Sequence, residues 1–299
     1  MIDVAVATTP FLDITFTGLD AIPKPGEEFY AGGLHRSPGG GAITAVGAAR
    51  LGLSTALAGP LGADEDGVVL RGALEAEGIR LVAPHPGRTA TTVVMPTNGE
   101  RAMVTYDEGV RTRREDLVAL RARAVVCGLG DIDLVPDGAA IYMSCGDAEA
   151  RGHAGHPPSE FGRAHVLLTN ESEARLLTGA ATAAGAAEQL AELGADAIVT
   201  LGPHGAVAVI GGAPYAVPGT AIGAVVDTTG AGDLFAAAYI WADLHGAAPE
   251  DRLRWAVLYA AMSVSVPTAV AGAATASRLI EEGVRHGLAE SQYVMEPEE

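Results

Sequence analysis

The sequence predicts an α/β protein in which helices cover both faces of a mostly parallel sheet, with a small separate sheet beside it. Short apolar stretches alternate with segments of helical periodicity over the second half of the 299-residue chain. This order is typical of buried parallel strands joined by crossover helices. Earlier in the chain, the alternating segments 91–96 and 101–106 flank Asn98-Gly99, a strong hairpin signal. No interdomain linker is apparent in the sequence, so we expect one domain over residues 1–299.

Composition and charge exclude several classes of function. The chain has 19 basic and 37 acidic residues and a formal net charge of −18, which argues against nucleic acid and anionic membranes as partners. No apolar run reaches the roughly 18 residues that a membrane-spanning helix needs. The N-terminus lacks the basic segment of a signal peptide. We therefore expect a cytoplasmic protein.

The first elements place a candidate ligand-binding residue early in the chain. Residues 3–9 are expected to form a buried strand, and Asp13 follows at its carboxyl end, where open α/β sheets bind their ligands. Asp13 is either an acceptor for a substrate hydroxyl or an ordinary turn aspartate. The glycines at 39–41 begin a helix of small residues that ends at Gly52, a natural C′ residue. Residues 54–60 are the next predicted strand.

Later strands end in further candidate residues. Asn170 and Glu173 lie on one face of the first turn of a helix, and an amide oxygen with a carboxylate suits Mg²⁺. The same spacing also describes an N-cap residue with a capping-box acid. Thr200 to Gly205 forms a tight glycine turn, which is also compatible with an ordinary hairpin. The strands are predicted at 124–127, 139–145, 165–169 and 197–201.

The stretch 227–233, Asp-Thr-Thr-Gly-Ala-Gly-Asp, precedes a strongly helical segment. Its glycines therefore lie at a helix N-terminus, where unpaired amides and the macrodipole favour an anion. A carboxylate beside that anion is a poor ligand, so Asp233 suggests a base that takes a proton from a hydroxyl group attacking phosphorus. A glycine-rich helix start with a first-turn acid is the alternative that needs no chemistry. Lys24 is the only lysine, and no Walker-type loop is present, so backbone amides, Mg²⁺ and a few arginines must hold any nucleotide.

The heptapeptide 227–233 resembles the second signature of the ribokinase-like (PfkB) family of carbohydrate and nucleoside kinases. The stretch 39–52 resembles the first signature, a Gly-Gly pair followed by a helix that ends in Arg-Leu-Gly. The resemblance covers residues 4–283 in the family's order. It implies a three-layer α/β/α fold with a small β-sheet lid, drawn from about residues 11–36 and 84–108. In the family this lid covers the substrate and is often the dimer interface, so a homodimer through the lid is expected.

The resemblance also implies an ATP-dependent kinase that phosphorylates a hydroxymethyl group of a sugar. Asp233 is then the catalytic base, and the amides of Gly230, Ala231 and Gly232 stabilise charge on the transferring phosphoryl group. Mg²⁺ would be organised by Asn170 and Glu173, and K⁺ is an additional candidate near Asp227. The other implied site residues are Phe11, Asp13, Gly39, Gly40, Thr44 and Arg101 for the acceptor, and Asn170, Thr200, Gly202, Gly205 and Thr228 for the nucleotide.

The departures from the family pattern fall at the acceptor end. Thr44 stands where the family commonly has Asn, and ribokinases have Lys at Gly41 and Asn at Phe11. Each replacement removes polar reach toward sugar hydroxyls, and the Phe11 ring can stack on a planar group. A nucleoside kinase is therefore the alternative within the family, and a non-catalytic ligand-sensing paralogue is the alternative outside enzymes. The sequence leaves open whether Arg101 faces the site or solvent.

Overall fold

A computed structural model of the chain describes residues 1–82, 85, 87–97, 100–266 and 268–288. Residue 84 and the predicted hairpin turn Asn98-Gly99 lie outside the described residues. The strands are β1 (Val4–Val6), β2 (Pro10–Thr17), β3 (Gly33–Gly40), β4 (Thr55–Leu57), β5 (Arg80–Leu81), β6 (Thr91–Thr97), β7 (Glu100–Tyr106), β8 (Ala124–Cys127), β9 (Ala140–Ser144), β10 (Val166–Asn170), β11 (Asp196–Thr200), β12 (Ala206–Ile210) and β13 (Ala213–Val217).

The α-helices lie between these strands and after them. They are α1 (Gly41–Arg50), α2 (Glu65–Ala76), α3 (Arg114–Leu120), α4 (Asp147–Gly152), α5 (Glu171–Thr178), α6 (Ala183–Ala191), α7 (Ala231–Leu244), α8 (Pro249–Ser263), α9 (Ala269–Gly272) and α10 (Ala276–Arg285). Those at α2, α4, α5 and α6 connect parallel strands of the large sheet, as the alternation of apolar and helical segments predicts. None of the helices in the described ranges is long and apolar enough to cross a membrane.

The large sheet has the strand order β13-β12-β11-β10-β9-β8-β1-β4-β5. Its strands pair in parallel from β5 to β11, and β12 and β13 add an antiparallel edge. Successive strand residues contribute to cores on opposite faces, since Val166 and Leu168 pack with α7 and α8 while Leu167 packs with α5 and α6. This confirms the predicted three-layer fold, in which both faces of the sheet are covered.

The small sheet has the order β3-β2-β6-β7 and confirms the predicted lid sheet. Asp13 lies inside β2, so it is a strand residue and the ordinary-turn interpretation is wrong. The sheet also runs further than the sequence indicated, because β3 continues through Gly39 and Gly40 before α1 begins. Pairing extends this far because Gly39 leaves room for the Asp13 carboxylate, which would lie 2.1 Å from a Cβ atom at that position.

The two faces of the small sheet differ in character. Asp13 is opposite Thr92, and Thr92 is opposite Thr105, so these polar side chains share one face, which we call the inner face. By strand alternation Arg101 lies on the inner face as well. The other face, the outer face, carries the opposed apolar residues Ile14, Val93 and Val104.

Candidate active site

The turn before α7 is built by Asp227 and Gly230. Oδ1 of Asp227 accepts a hydrogen bond from the Thr229 amide at 2.8 Å, and Oδ2 accepts one from the Thr268 amide at 3.1 Å. Gly230 has φ 72°, and a Cβ atom there would lie 2.4 Å from the Cβ of Ala269. Only glycine fits this position without strain, and the turn delivers the chain into the first turn of α7.

The N-terminus of α7 is open. Gly230 provides no side-chain cap, and the first amides of a helix have no acceptor within the helix. A Cβ atom at Gly232 would meet no atom within 4 Å, so packing in the protein does not explain why glycine stands there. The open space beside these amides is suited to an anion.

Asp233 lies in the first turn of α7 beside this space, and its carboxylate is held from a second helix. Thr44 of α1 donates a hydrogen bond through Oγ1 to Asp233 Oδ1 at 3.1 Å. Burial raises the pKa of Asp233 to about 6, while the Thr44 hydrogen bond and the charge of Arg101 oppose that rise. A carboxylate with such a pKa accepts a proton readily at neutral pH.

Asp13 lies near Asp233 on the inner face of the small sheet and is 6% exposed. None of the described residues donates a hydrogen bond to its carboxylate. Burial, followed by the charges of Asp233 and Asp227, raises the pKa of Asp13 to about 7. A buried carboxylate without a donor indicates a place for ligand hydroxyl groups.

Phe11 and Gly40 border the same space. Both lie at the end of the β2–β3 pair, and a Cβ atom on Gly40 would lie 2.3 Å from the Phe11 ring. Phe11 is on the same face of β2 as Asp13, since residues two apart along a strand share a face. The described site therefore combines a carboxylate with a half-buried aromatic ring.

Arg101 faces the site, which answers the question that the sequence left open. Its Nη1 donates a hydrogen bond to Thr228 Oγ1 at 3.0 Å. The contact joins β7 of the small sheet to the turn before α7, so the small sheet lies over that turn. Among the charged groups that influence Asp233, Arg101 is the cation.

Asn170 and Glu173 form a capping box at the start of α5. The backbone N–H of Glu173 donates to Asn170 Oδ1, and the backbone N–H of Asn170 donates to Glu173 Oε2, each at 2.9 Å. Burial raises the pKa of Glu173, and the charges of Asp147 and Glu149 add to that rise, while its bonds to Asn170 oppose it. The capping interpretation of this spacing is therefore confirmed, and the box leaves Glu173 Oε1 available for another partner.

A depression of about 460 Å³ lies next to this box, at the carboxyl ends of β10 and β11. Asn170, Thr200 and Gly202 line it, together with Arg175. Gly205 is not among the lining residues, and a Cβ atom there would lie 2.0 Å from the Val217 carbonyl oxygen. The backbone of the β12–β13 hairpin thus accounts for Gly205.

One contact and one unpartnered hydroxyl in the described part of the site had no signal in the sequence. The Thr268 amide reaches Asp227 from a distant segment, and Thr268 itself has φ 66°. Thr229 Oγ1 is buried and has no hydrogen-bond partner among the described residues. A buried hydroxyl group without a partner indicates a polar position that a ligand or an ion can fill.

Comparison with known proteins identifies relatives over nearly the whole chain. The sequence model of the pfkB family carbohydrate kinases matches residues 10–139 and 159–276 of this chain. The ribokinase of Bacillus subtilis is 28% identical over 282 residues, which cover 88% of this chain and 93% of that protein.

Solved structures agree with the fold. The Arabidopsis thaliana ribokinase complexed with ribose and ATP has a TM-score of 0.77 and 26% identity, covering 94% of this chain and 98% of that one. The ribokinase of Thermotoga maritima has a TM-score of 0.81 at 24% identity, with 95% and 100% covered. These likenesses extend over both sheets.

Proposed function

The chain belongs to the pfkB family of carbohydrate kinases, and on that premise we infer that it transfers the γ-phosphoryl group of ATP to a hydroxymethyl group of a sugar. The ribokinase relatives support a sugar as acceptor. The complex of the Arabidopsis thaliana enzyme with ribose and ATP supports ATP as donor. Because ATP is made available in the cytoplasm, a cytoplasmic location is part of the proposal.

One helix turn is the observation that carries this function. Gly232 leaves open space beside the first amides of α7, and Asp233 follows it directly. The amides of residues 230–233 would hold the charge that develops on the transferring phosphoryl group. Asp233 would accept the acceptor's hydroxyl proton while the new O–P bond forms and the bond to the ADP oxygen breaks.

The acceptor would lie between α7 and the inner face of the small sheet. Asp13 would accept hydrogen bonds from sugar hydroxyl groups, which its burial without a donor supports. Gly39 and Gly40 keep the backbone close to Asp13 and Phe11. Arg101 would close over the reacting groups, since it already contacts Thr228. Water would thereby be kept from the transferring group.

We propose that Mg²⁺ binds beside the depression at the carboxyl ends of β10 and β11, which would hold the nucleotide. Glu173 Oε1 is outside the capping box, and Asp147 and Glu149 add negative charge near it. Oxygen donors of this kind suit Mg²⁺, which keeps several waters and takes few protein ligands. When bound, the ion would neutralise phosphate charge. Thr200 and Gly202 would line the phosphates of ATP in the same depression.

K⁺ is a second ion whose binding we propose. The turn of Asp227 to Thr229 has a buried carboxylate and the buried, unpartnered Thr229 hydroxyl. Oxygen atoms of this kind suit a monovalent cation. The bound ion would stabilise the turn of residues 227–229, which leads into the amides at the start of α7.

We also propose a homodimer formed through the outer face of the small sheet. Val104, Leu34 and Tyr106 are exposed there, and an exposed apolar face on a sheet favours a protein partner. A second copy of this chain is the partner that the family resemblance implies.

ADP release against a panel of sugars and nucleosides tests the proposed function. We expect release with Mg²⁺-ATP and at least one sugar, and little with nucleosides. Nucleosides alone would establish the alternative acceptor class, which the Phe11 ring beside Asp13 favours. Silence across the panel, together with thermal stabilisation by a ligand, would contradict the enzyme and support a sensor.

A further inference from the structure

Thr44 makes an unusual hydrogen bond for a threonine inside a helix. It is the fourth residue of α1 and is 2% exposed. The hydroxyl group of a helical threonine commonly donates a hydrogen bond to the backbone carbonyl one turn earlier. The Thr44 hydroxyl instead donates to Oδ1 of Asp233, which lies 189 residues later in the chain on another helix. The bond therefore depends on how α1 and α7 pack.

The packing of these helices leaves little freedom for that bond. A Cβ atom on Gly47 of α1 would lie 2.7 Å from Leu234 Cδ2 and 2.9 Å from the Ala237 Cβ, both on α7. A Cβ atom on Gly230, at the start of α7, would lie 2.7 Å from Cδ1 of Ile43 on α1. Contacts on both sides of Thr44 thus fix its hydroxyl against the Asp233 carboxylate.

The bond distinguishes the two carboxylate oxygens of Asp233. Among the described residues, Thr44 is the side chain that donates to this carboxylate, so Oδ2 is the oxygen left without a side-chain donor. We propose that Thr44 is a positioning residue that holds Asp233 Oδ1, so that Oδ2 faces the hydroxyl group of the acceptor. This inference rests on the proposed function, in which Asp233 is the base.

The electrostatic surroundings agree with this role. Asp233 and Asp227 place negative charge near Asp13 of β2, and Arg101 from β7 places positive charge near Asp233. Burial raises the pKa of Asp233, and the Thr44 hydrogen bond acts against it. A donor to the ionised carboxylate keeps the base ready at neutral pH.

The proton transfer balances without a further reactant. The acceptor O–H bond breaks and its proton passes to Asp233 Oδ2. The acceptor oxygen bonds to the γ-phosphorus, and the bond between that phosphorus and the ADP oxygen breaks. Thr44 keeps its own proton throughout and contributes only orientation and charge stabilisation.

Thr44→Val tests the proposal, because valine has the shape of threonine without the donor. With Mg²⁺-ATP and D-ribose, or the most active sugar of the panel, we expect kcat to fall about tenfold or more. The acid limb of the pH profile should move up by about one pH unit, since a hydrogen bond to a charged group is lost. Thr44→Ser keeps the donor and should restore both. Thr44→Ala replaces the valine variant if that variant does not fold.

Thr55→Val is the matched control, because Thr55 is buried and donates to the Leu53 carbonyl away from the site. Its pH profile should match that of the wild type. A ¹³C NMR titration of the Asp233 carboxyl, assigned with Asp233→Asn, reads the same shift without turnover. An unmoved titration and pH profile in Thr44→Val would overturn the proposal, even with an active wild type. An inactive wild type would instead contradict the proposed function.

Discussion

At Asp233, burial and hydrogen bonding act in opposite directions on one carboxylate. Burial raises its pKa to about 6, and the hydrogen bond from Thr44 limits that rise. The carboxylate is therefore ionised at neutral pH but close enough to neutrality to hold a proton transiently. A first-turn acid that only stabilises a helix needs neither burial nor a partner on another helix.

Asp233→Asn should abolish turnover and leave nucleotide binding nearly intact. The change removes the base but keeps the shape, and general base catalysis contributes about 10²–10⁴-fold to rate. Steady-state ADP release and ADP binding by calorimetry measure the two effects separately. Asp251→Asn is the control, since Asp251 also lies in the first turn of a helix, α8, away from the site. Retained turnover in Asp233→Asn would remove Asp233 from the mechanism.

Gly232→Ala should fold normally and lose activity. Its Cβ atom meets nothing in the protein, so stability should change by no more than about 1 kcal/mol. The methyl group would instead occupy the space proposed for the phosphoryl group, and turnover should fall by about 100-fold or more.

The control for this glycine is Gly72→Ala in α2. Gly72 is also exposed, and a Cβ atom there meets nothing. It should keep full activity with a similar change in melting temperature. Equal activity of the Gly72 and Gly232 variants would contradict a phosphate site at residue 232.

Local sequence patterns identify the candidate site residues, but they do not reveal the tertiary contacts between them. The heptapeptide 227–233 specified a helix start, and Asn170 with Glu173 specified a capping box, because both depend on residues a few positions apart. The bonds from Thr44 to Asp233 and from Thr268 to Asp227 join distant segments. No local spacing encodes them, so only the structure reveals them.

Among the elements, α7 is the one that joins the site to the core. Its N-terminal turn carries Asp233, and its interior from Leu234 to Ala242 is buried. Near its other end, Asp243 accepts hydrogen bonds from Tyr142 at 2.5 Å and from His165 at 2.9 Å, and it pairs with Arg252 at 2.7 Å. These partners come from β9, from the residue before β10 and from α8, so α7 is anchored at the end opposite to the site.

The His165–Asp243 contact should make stability depend on pH. The hydrogen bond to Asp243 raises the pKa of His165 above its usual 6.5. A raised histidine pKa gives stability that is fully present below the unfolded value and is lost as pH rises through the folded value. The melting temperature should therefore fall across that window above pH 6.5, as scanning calorimetry would measure.

Histidine substitutions identify the source of this dependence. His165→Gln should flatten the fall in melting temperature above pH 6.5. His156→Gln is the control, since His156 is exposed in a loop and its ring bonds to the Ala154 carbonyl, and it should keep the fall. The same slope in both variants would show that His165 is not responsible.

Element types followed from the sequence better than element ends. The apolar runs at 124–127 and 165–169 became β8 and β10 with little change, because burial on both faces selects continuous apolar segments. The run at 3–9 became a shorter strand, and the chain then entered the small sheet at Pro10. Cross-strand pairing with β3 decides that change, and a single segment does not show its partner.

For the whole molecule, the small sheet is the part whose two faces differ most in character. Its inner face bears Asp13 and Arg101, and its outer face bears exposed apolar side chains. The overall fold was predictable because strand and helix order, hairpin signals and the family resemblance agreed. The identity of the acceptor was not, because it depends on a few side chains around Phe11.

Val104→Glu should prevent dimer formation without unfolding the protein. Val104 is 67% exposed on the outer face, and a charge there would be buried between two copies at high cost. Sedimentation velocity should show a dimer for the wild type and a monomer for the variant. Val284→Glu is the control, since Val284 is 48% exposed on α10, a helix that packs on α8. A wild-type monomer, or a dimer in Val104→Glu, would contradict the interface.

The proposed mechanism requires that main-chain amides bind the terminal phosphate of ATP next to the carboxylate of Asp233. A crystal structure with a non-hydrolysable ATP analogue and Mg²⁺ tests this most directly. We predict γ-phosphate oxygens within about 3 Å of the amides of Gly232 and Asp233, with the Asp233 carboxylate next to the phosphorus. A γ-phosphate bound away from residues 230–233 would contradict the account.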